Sequence, residues 1–466
     1  MIGTAVPPGF LGLSVETWAL DSGGGLGAPP ALLARFLRPL ASGGGPAVLR
    51  VGGNSTDTTW WPSRGEPIPP WTQSSLTPAA VRRLRNITRA SGSPLVVGLN
   101  MAADDPALAA REAVGIARGL RPLSVRAFEL GNEPDLYTGR AWYEQPTPTG
   151  VEPTPARSVY GFPDFVVDWT RFAAAVRARV PGARFAAPGT TTDQWASYLP
   201  AFLAATRGSV AEVTLHRYPL RGCGLPPRSP QYPSIAHLLS DNASHGMAER
   251  IAPAVAAARA AGLGLRVGEM NSVACAGRAG VSNTFAASLW GLDTLFELVG
   301  TGVAGVNIHS RAISRYSPLT FVRAPAGWTV QVAPLYYALL LFAELTPRGT
   351  TVAPVAVPGR ADVKVWLLRG PGARRSVVVI DKDPRLRGAV RLAIPGERAP
   401  APTIRFDDSS VRSTTPPDLA GQSFGLVNTD GRLHGEPVVT QVTPDAQGTY
   451  RVPFTRPGVA VLSLVG

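Results

Sequence analysis

The chain has 466 residues, 45% hydrophobic and 17% charged, with a net charge of +13. That length allows one large domain and a smaller one, each with a core, and the composition excludes a disordered chain. No run of about 18 uninterrupted apolar residues occurs, so no membrane-spanning helix is expected, and no basic stripe with interleaved aromatics marks a nucleic-acid surface. Only Lys364 and Lys382 are lysines; all other Lys/Arg positions are arginine, a bias that reads as codon usage of a GC-rich genome and not as a selected patch. A positive field of this size would still concentrate an acidic substrate.

The elements alternate along the first two-thirds of the chain. Strand-like runs fall at 10–16, 47–53, 94–100, 125–131, 184–190, 210–216, 263–269 and 302–309. Helical patterns rich in Ala, Leu and Arg lie near 29–40, 77–91, 105–119, 162–180, 194–206, 241–262, 282–299 and 332–346. Eight strand–helix repeats predict an α/β fold, a closed (β/α)8 TIM barrel over 1–347. After about residue 347 the helical patterns stop. Short alternating runs such as Val363–Leu367, Ser376–Ile380, Val390–Ile394 and Val459–Leu464, separated by Gly- and Pro-rich turns, predict a C-terminal β-sandwich over 348–466. The first residues of the chain are candidates for an extra strand of that sandwich.

The long loops 54–76, 135–161 and 217–240 each follow a strand C-terminus, the catalytic face of such barrels. They carry Trp60, Trp61, Trp71, Tyr137, Trp142, Tyr143, Tyr160 and Tyr218, aromatics that either stack on sugar rings or pack the loops. Cys223 and Cys275 follow two strand tips. A disulfide across the barrel rim and two free thiols are both open on sequence grounds; the bridge would suit a secreted or periplasmic protein. The first nine residues lack a basic segment followed by an apolar core, so they do not read as a signal peptide.

Two strand tips end in a carboxylate. Phe128-Glu129-Leu130-Gly131-Asn132-Glu133-Pro134 is an apolar run that stops at Asn-Glu-Pro, and Leu265-Arg266-Val267-Gly268-Glu269-Met270-Asn271 is a second. Glu133 and Glu269 are too distant in sequence for a local motif and meet only if a barrel gathers strand tips. Two carboxylates facing one cavity are the machinery of glycosidic bond hydrolysis. Glu133 is the expected general acid/base, with its pKa raised by burial or a neighbouring carboxylate. Glu269 is the expected nucleophile, kept ionised by a cation. Their carboxyl groups are expected about 5–5.5 Å apart. Arg50, inside the apolar Val48-Leu49-Arg50-Val51, needs an anionic partner, either Glu269 or another acid such as Asp57. His216 and His309 end strands six and eight, where both are candidates to bond substrate; for His309 a satisfied supporting group is an equal alternative. No ligand-spaced His cluster suggests a metal, and no phosphate loop, cofactor motif or nucleophile elbow appears.

Taken as a set, Gly12-Leu13-Ser14-Val15-Glu16, Leu49-Arg50-Val51-Gly52-Gly53-Asn54-Ser55, Glu129-Leu130-Gly131-Asn132-Glu133-Pro134 and Gly268-Glu269-Met270-Asn271-Ser272 resemble glycoside hydrolase family 79, which holds heparanases and microbial β-glucuronidases. The resemblance covers barrel and sandwich. It implies retaining hydrolysis of terminal β-linked glucuronic acid from glycans or glycosides, with Glu133 as acid/base and Glu269 as nucleophile. It further implies substrate contacts at Glu16, Asn132, Tyr218 and Tyr316, the last holding the uronate carboxylate. The rival readings are an endo-acting heparanase-like hydrolase, a retaining glycosidase of a neutral sugar, and a sugar-binding protein on a decayed barrel, against which both glutamates stand. The sequence sets no oligomeric state.

Overall fold

The computed structural model describes residues 3–20, 25–62, 65–147, 150–358 and 362–464. Eight parallel strands close a barrel: β1 (Leu11–Glu16), β2 (Val48–Gly52), β3 (Leu95–Leu99), β4 (Ala127–Leu130), β5 (Phe185–Thr190), β6 (Val210–Arg217), β7 (Leu265–Met270) and β8 (Gly305–Ser310). Each of the eight runs expected from sequence is a barrel strand, and β8 returns to pair with β1. Side chains alternate across the pleat, so each strand sends one set into the barrel and one against the helices. Val48, Val96, Ala127 and Ala186 form a small apolar cluster of their own among the inward-facing positions of β2 to β5. Two steps further along, the inward set of β2 and β4 becomes charged, at Arg50 and Glu129.

The helices start where the chain chemistry says they should. Thr77 accepts from the Ala80 amide ahead of Pro78, and Asp105 accepts from the Ala107 and Leu108 amides ahead of Pro106. Each side-chain cap satisfies amides that a first turn leaves free, and proline loses nothing there. The helix expected near 194–206 is two short ones, Asp193–Ser197 and Leu199–Ala205. Pro200 has no amide hydrogen and its ring clashes with the carbonyl one turn back, so the helix restarts instead of continuing.

The long loops carry more structure than was read from them. Residues 141–147 and 150–155 pair as an antiparallel hairpin. Pro146, Pro148, Pro153 and Pro155 hid it, because proline in a short run argues against a strand. A second hairpin, Leu319–Ala324 with Gly327–Val332, lies between β8 and the last barrel helix. Cys223 and Cys275 form a disulfide, and Leu220–Arg221 pairs with Val273–Ala274 beside it, so the loops after β6 and β7 are tied twice.

The C-terminal part is a sandwich of unequal layers. Its large antiparallel sheet contains Thr351–Val355, Val363–Arg369, Arg375–Asp381, Gly458–Leu464 and Ala401–Asp407, and Thr4–Ala5 pairs with Thr351 and Val352 at one edge, the added strand expected from the first residues. Gly388–Ala393 and Thr449–Phe454 make the small second sheet. The period-2 pattern divides the large sheet cleanly. Trp366, Leu368, Val378, Ile380, Val459 and Val461 join the barrel's core, whereas Val365, Val377, Val379, Ala460 and Leu462 face the small sheet in a second core. Helix Phe285–Thr301, buried through Val299, lies against both the barrel and the large sheet, which is why it is apolar nearly all round. The only two lysines serve this junction. Lys382 reaches Asp293 at 2.7 Å with neither side chain exposed, and Lys364 reaches Glu297 at 3.1 Å and also Asp241.

Candidate active site

The C-terminal ends of the barrel strands gather the expected residues. Gly131 and Glu133 both have positive φ, 72° and 51°. Glycine tolerates that region; a glutamate there stores on the order of 1–2 kcal/mol of backbone strain. The doubled reversal turns the chain sharply at the end of β4. It leaves Asn132 at 1% exposure and Glu133 at 8%, both over the barrel mouth. Pro134 then begins a short 3-10 turn through Leu136.

One carboxylate oxygen each of Glu133 and Glu269 and one ring nitrogen of His216 lie within 4.8 Å of one another. That three-residue cluster has ligand-like spacing, although it comes from β6, β7 and the tip of β4 and no local motif announces it. Glu133 Oε1 pairs with His216 Nδ1 at 3.1 Å, and Arg140 Nη1 donates to Glu133 Oε2 at 2.8 Å. Burial pushes the Glu133 carboxyl up, but the His216 hydrogen bond and the Arg140 guanidinium outweigh it, and the net shift is downward. The sequence-based expectation of a raised value is therefore corrected here: the expected acid has a cation on it that no local signal in the chain announces.

Glu269 follows its expectation. Burial alone would raise its pKa, yet His309, His216 and Arg50 and the Tyr218 hydrogen bond hold it far below the ordinary carboxylate range. Arg50 Nη1 donates to Glu269 Oε2 at 2.8 Å and Tyr218 Oη donates to Oε1 at 2.7 Å. Arg50, 1% exposed, serves four partners. It also reaches Glu129 Oε2 at 2.6 Å, Ser14 Oγ at 2.9 Å and Asn132 Oδ1 at 2.9 Å. Of the alternatives, both hold in part: Arg50 pairs with Glu269 and with another acid, which is Glu129 and not Asp57. Asp57 instead accepts from the Asn132 amide at 3.0 Å and from Tyr137 Oη at 3.0 Å, which fixes the strand tip from below.

His309 lies between two acids, 3.5 Å from Glu269 and 3.6 Å from Glu16, with Ser14 Oγ 3.2 Å from Nδ1. Burial lowers its pKa, but the charges of Glu269 and Glu16 raise it more. Glu16 is held by the Ser55 amide at 2.9 Å and hydroxyl at 2.6 Å. Gly53, at φ 72°, is required beside it: a Cβ there would come within 2.7 Å of the Glu16 carboxylate. Tyr316 is 4% exposed, its ring 6.1 Å from Tyr218 and 5.7 Å from His309. All seven expected residues therefore belong to one neighbourhood.

A cavity of about 220 Å³ adjoins this cluster, lined among others by Glu16, Trp18, Asp57, Tyr137, Arg140, Trp142 and Arg311. Neither Glu133 nor Glu269 lines it; Arg140 and Glu16 connect it to them. Of the loop aromatics, Tyr137 and Trp142 face the cavity. Trp71 stacks on Trp142 at 5.4 Å, Tyr160 stacks on Tyr137 at 5.6 Å, and Trp60 is buried, so those three pack the loops. Sequence reasoning did not single out Ser14, Trp18, Glu129 or Arg140. Glu129 carried a usable signal: a charge in an apolar barrel strand needs a partner, the same logic that flagged Arg50.

No protein-family model and no curated protein matches the chain. Solved structures do. The fold is similar to that of a 4-O-α-L-rhamnosyl-β-D-glucuronidase from Fusarium oxysporum 12S, at 18% identity over 99% of this chain and 97% of that one, TM-score 0.76. It is also similar to a GH51 arabinofuranosidase from Xanthomonas axonopodis pv. citri (14% identity, 99% and 97% covered, TM-score 0.66) and to a GH39 enzyme from the same organism (17%, 99% and 95%, TM-score 0.60). At these identities the likeness establishes the architecture, a TIM barrel with a C-terminal sandwich, over the whole chain.

Proposed function

We propose that this protein is a retaining exo-β-glucuronidase. The observation that carries the reading is the Glu133–Glu269 pair, with carboxylate oxygens within 4.8 Å across the barrel mouth and Glu269 strongly stabilised as the anion. Retaining glycosidases hold their carboxyl groups about 5–5.5 Å apart, and a gap of about 6.5–9.5 Å is needed to admit the water of an inverting reaction. In this reading Glu269 attacks the anomeric carbon, the C1–O bond breaks as Glu133 protonates the leaving oxygen, and Glu133 then takes a proton from the water that releases the sugar. Arg50 and Tyr218 keep the nucleophile ionised and aimed. Asn132, whose Nδ2 donates to Asn54 Oδ1 at 2.9 Å, is the residue this reading assigns to the sugar's 2-hydroxyl.

The uronide preference rests on less. It is supported by the family-79-like motifs, by the net charge, by Tyr316 beside Tyr218, and by a fold shared with a protein whose name is that of a glucuronidase. The stacked Trp71–Trp142 pair beside the cavity favours a closed pocket and hence exo action. The test is turnover of p-nitrophenyl β-D-glucuronide against the β-glucoside, β-xyloside and α-L-arabinofuranoside, with the first-formed anomer read by NMR. Preference for a neutral glycoside would replace the substrate assignment, and an inverted product would overturn the mechanism.

A further inference from the structure

Arg140 has a function that the reaction as drawn above does not use. A general acid must carry a proton, yet this guanidinium sits on Glu133 and favours its ionised form. The contact is a single hydrogen bond. Nη1 donates to Glu133 at 2.8 Å, while Nη2 is 3.5 Å from the Asn132 carbonyl, so most of the donor fork is uncommitted. The side chain is one-third exposed, whereas the carboxylate it holds is 10% exposed. It lines the cavity beside the site, and so does Arg311, whose Nε makes no hydrogen bond and lies 4.0 Å from Glu16. Gly139, immediately before Arg140, is exposed, and nothing lies within 4 Å of where its Cβ would be. A carboxylate entering the cavity would offer Arg140 a bidentate partner in place of a one-armed one.

We propose that Arg140 is a specificity-determining residue: it rests on Glu133 until the carboxylate of an acidic sugar takes it over, and that transfer frees Glu133 to hold a proton. The proposal builds on the uronidase reading. It explains how the site can reject a neutral sugar of the same shape: with no anion to draw Arg140 away, the acid stays ionised. The groups facing Glu133 are His216 from β6, Glu269 from β7, Tyr218 from the following loop and Arg140 itself, and those facing Arg140 are Glu133, Asp57 and Tyr137. Of the two cationic or cation-capable groups on Glu133, only Arg140 lines the cavity.

The experiment compares the full-length protein with Arg140→Gln and Arg140→Lys on p-nitrophenyl β-D-glucuronide and on its uncharged glucuronamide analogue. Removal of a charge-assisted contact should lower kcat/KM for the glucuronide by about ten- to a hundredfold and, because Glu133 is no longer held ionised, raise that for the amide, so the acid-to-amide ratio collapses. The basic limb of the kcat/KM profile, set by the acid, should move to higher pH in Arg140→Gln. Arg140→Lys, which keeps charge without the fork, should fall between. An unchanged ratio, or a basic limb that stays in place in both variants, overturns the role of Arg140 while leaving the uronidase reading intact. A wild-type protein inactive on the glucuronide but active on a neutral glycoside overturns both. If Arg140→Gln does not fold, Arg140→Lys alone decides by the same two readouts.

Discussion

Replacing Arg50 with glutamine tests the electrostatic centre of the site. The substitution keeps a polar side chain but removes the one cation shared by Glu129 and Glu269, with contacts of 2.6 and 2.8 Å. Breaking a buried ion pair from one side costs about 3–5 kcal/mol, because Glu129 is then buried without a counter-charge and Glu269 keeps only its histidine neighbours as counter-charges. For a chain of 466 residues the unfolding entropy is about 1 kcal/mol per kelvin, so cooperative melting should drop by about 3–5 °C. The pH dependence has a definite sign. The Glu269 pKa is depressed in the folded protein, so its contribution to stability is present above the ordinary value of 4.5 and is lost as pH falls through the folded value. Arg50 is one cause of that depression. In Arg50→Gln the Glu269 pKa rises, the acid-side loss of stability begins at higher pH, and the acidic limb of kcat/KM moves toward neutrality. Melting curves between pH 3 and about 8, with kcat/KM over the same range, provide the check. Arg50→Gln combined with Glu129→Gln should recover part of the lost stability, since one orphaned charge is gone. A variant that melts like the wild type and keeps its acidic limb would show that Arg50 does not govern Glu269.

Four further outcomes follow from the same geometry. Glu269→Gln should abolish turnover with substrate binding largely retained, read by single-turnover kinetics and calorimetry, because an amide keeps the shape but cannot form the glycosyl ester. Glu133→Ala should spare substrates with very good leaving groups and disable poor ones; equal losses across aryl leaving groups of different pKa would contradict the acid assignment. Tyr316→Phe should weaken β-glucuronide turnover by roughly 1–3 kcal/mol in the transition state and β-glucoside turnover much less; equal losses would mean that Tyr316 shapes the pocket without reading the carboxylate. Opening the Cys223–Cys275 bridge, which spans 52 positions, by a Cys→Ser pair should cost up to about 4 kcal/mol of stability, measured by denaturant unfolding; an unchanged midpoint would mean that the parallel pairing of Leu220–Arg221 with Val273–Ala274 holds the rim by itself.

The barrel was legible because its signals are local and repeated. Proline and Thr or Asp caps open the helices at Pro78 and Pro106, and the strand runs recur between helical patterns, so periodicity and turn chemistry point to the same alternation. Glu133, Glu269 and Arg50 were legible for a related reason: a charge at the end of, or within, an apolar strand has no local explanation and must be answered elsewhere in the barrel. What the sequence hid depends on which loop folds over which strand. The 141–155 hairpin is disguised by its prolines. Arg140 is one arginine among many, seven positions after Glu133, and only the turn through Leu136 folds it back onto the carboxylate. The shift of Glu133 was misjudged for that reason, since burial was readable and the cation was not.

The two carboxylates are set in different surroundings by different direct partners. Glu269 is held by Arg50 on β2 and His309 on β8, both buried, and by Tyr218, half-buried on a loop fastened by a disulfide. None of these can withdraw without disturbing the barrel, so the anion at Glu269 is a property of the fold. Glu133 is held by His216, which is buried, and by Arg140, which is one-third exposed. Under the proposal for Arg140, the charge on Glu133 is the one that a ligand alters. A nucleophile needs a constant charge and an acid/base needs one that changes during the reaction. The rigid partners fall on the residue assigned the first task, and the one partly exposed partner falls on the residue assigned the second. That asymmetry supports the assignment of roles independently of the motif in which each glutamate occurs.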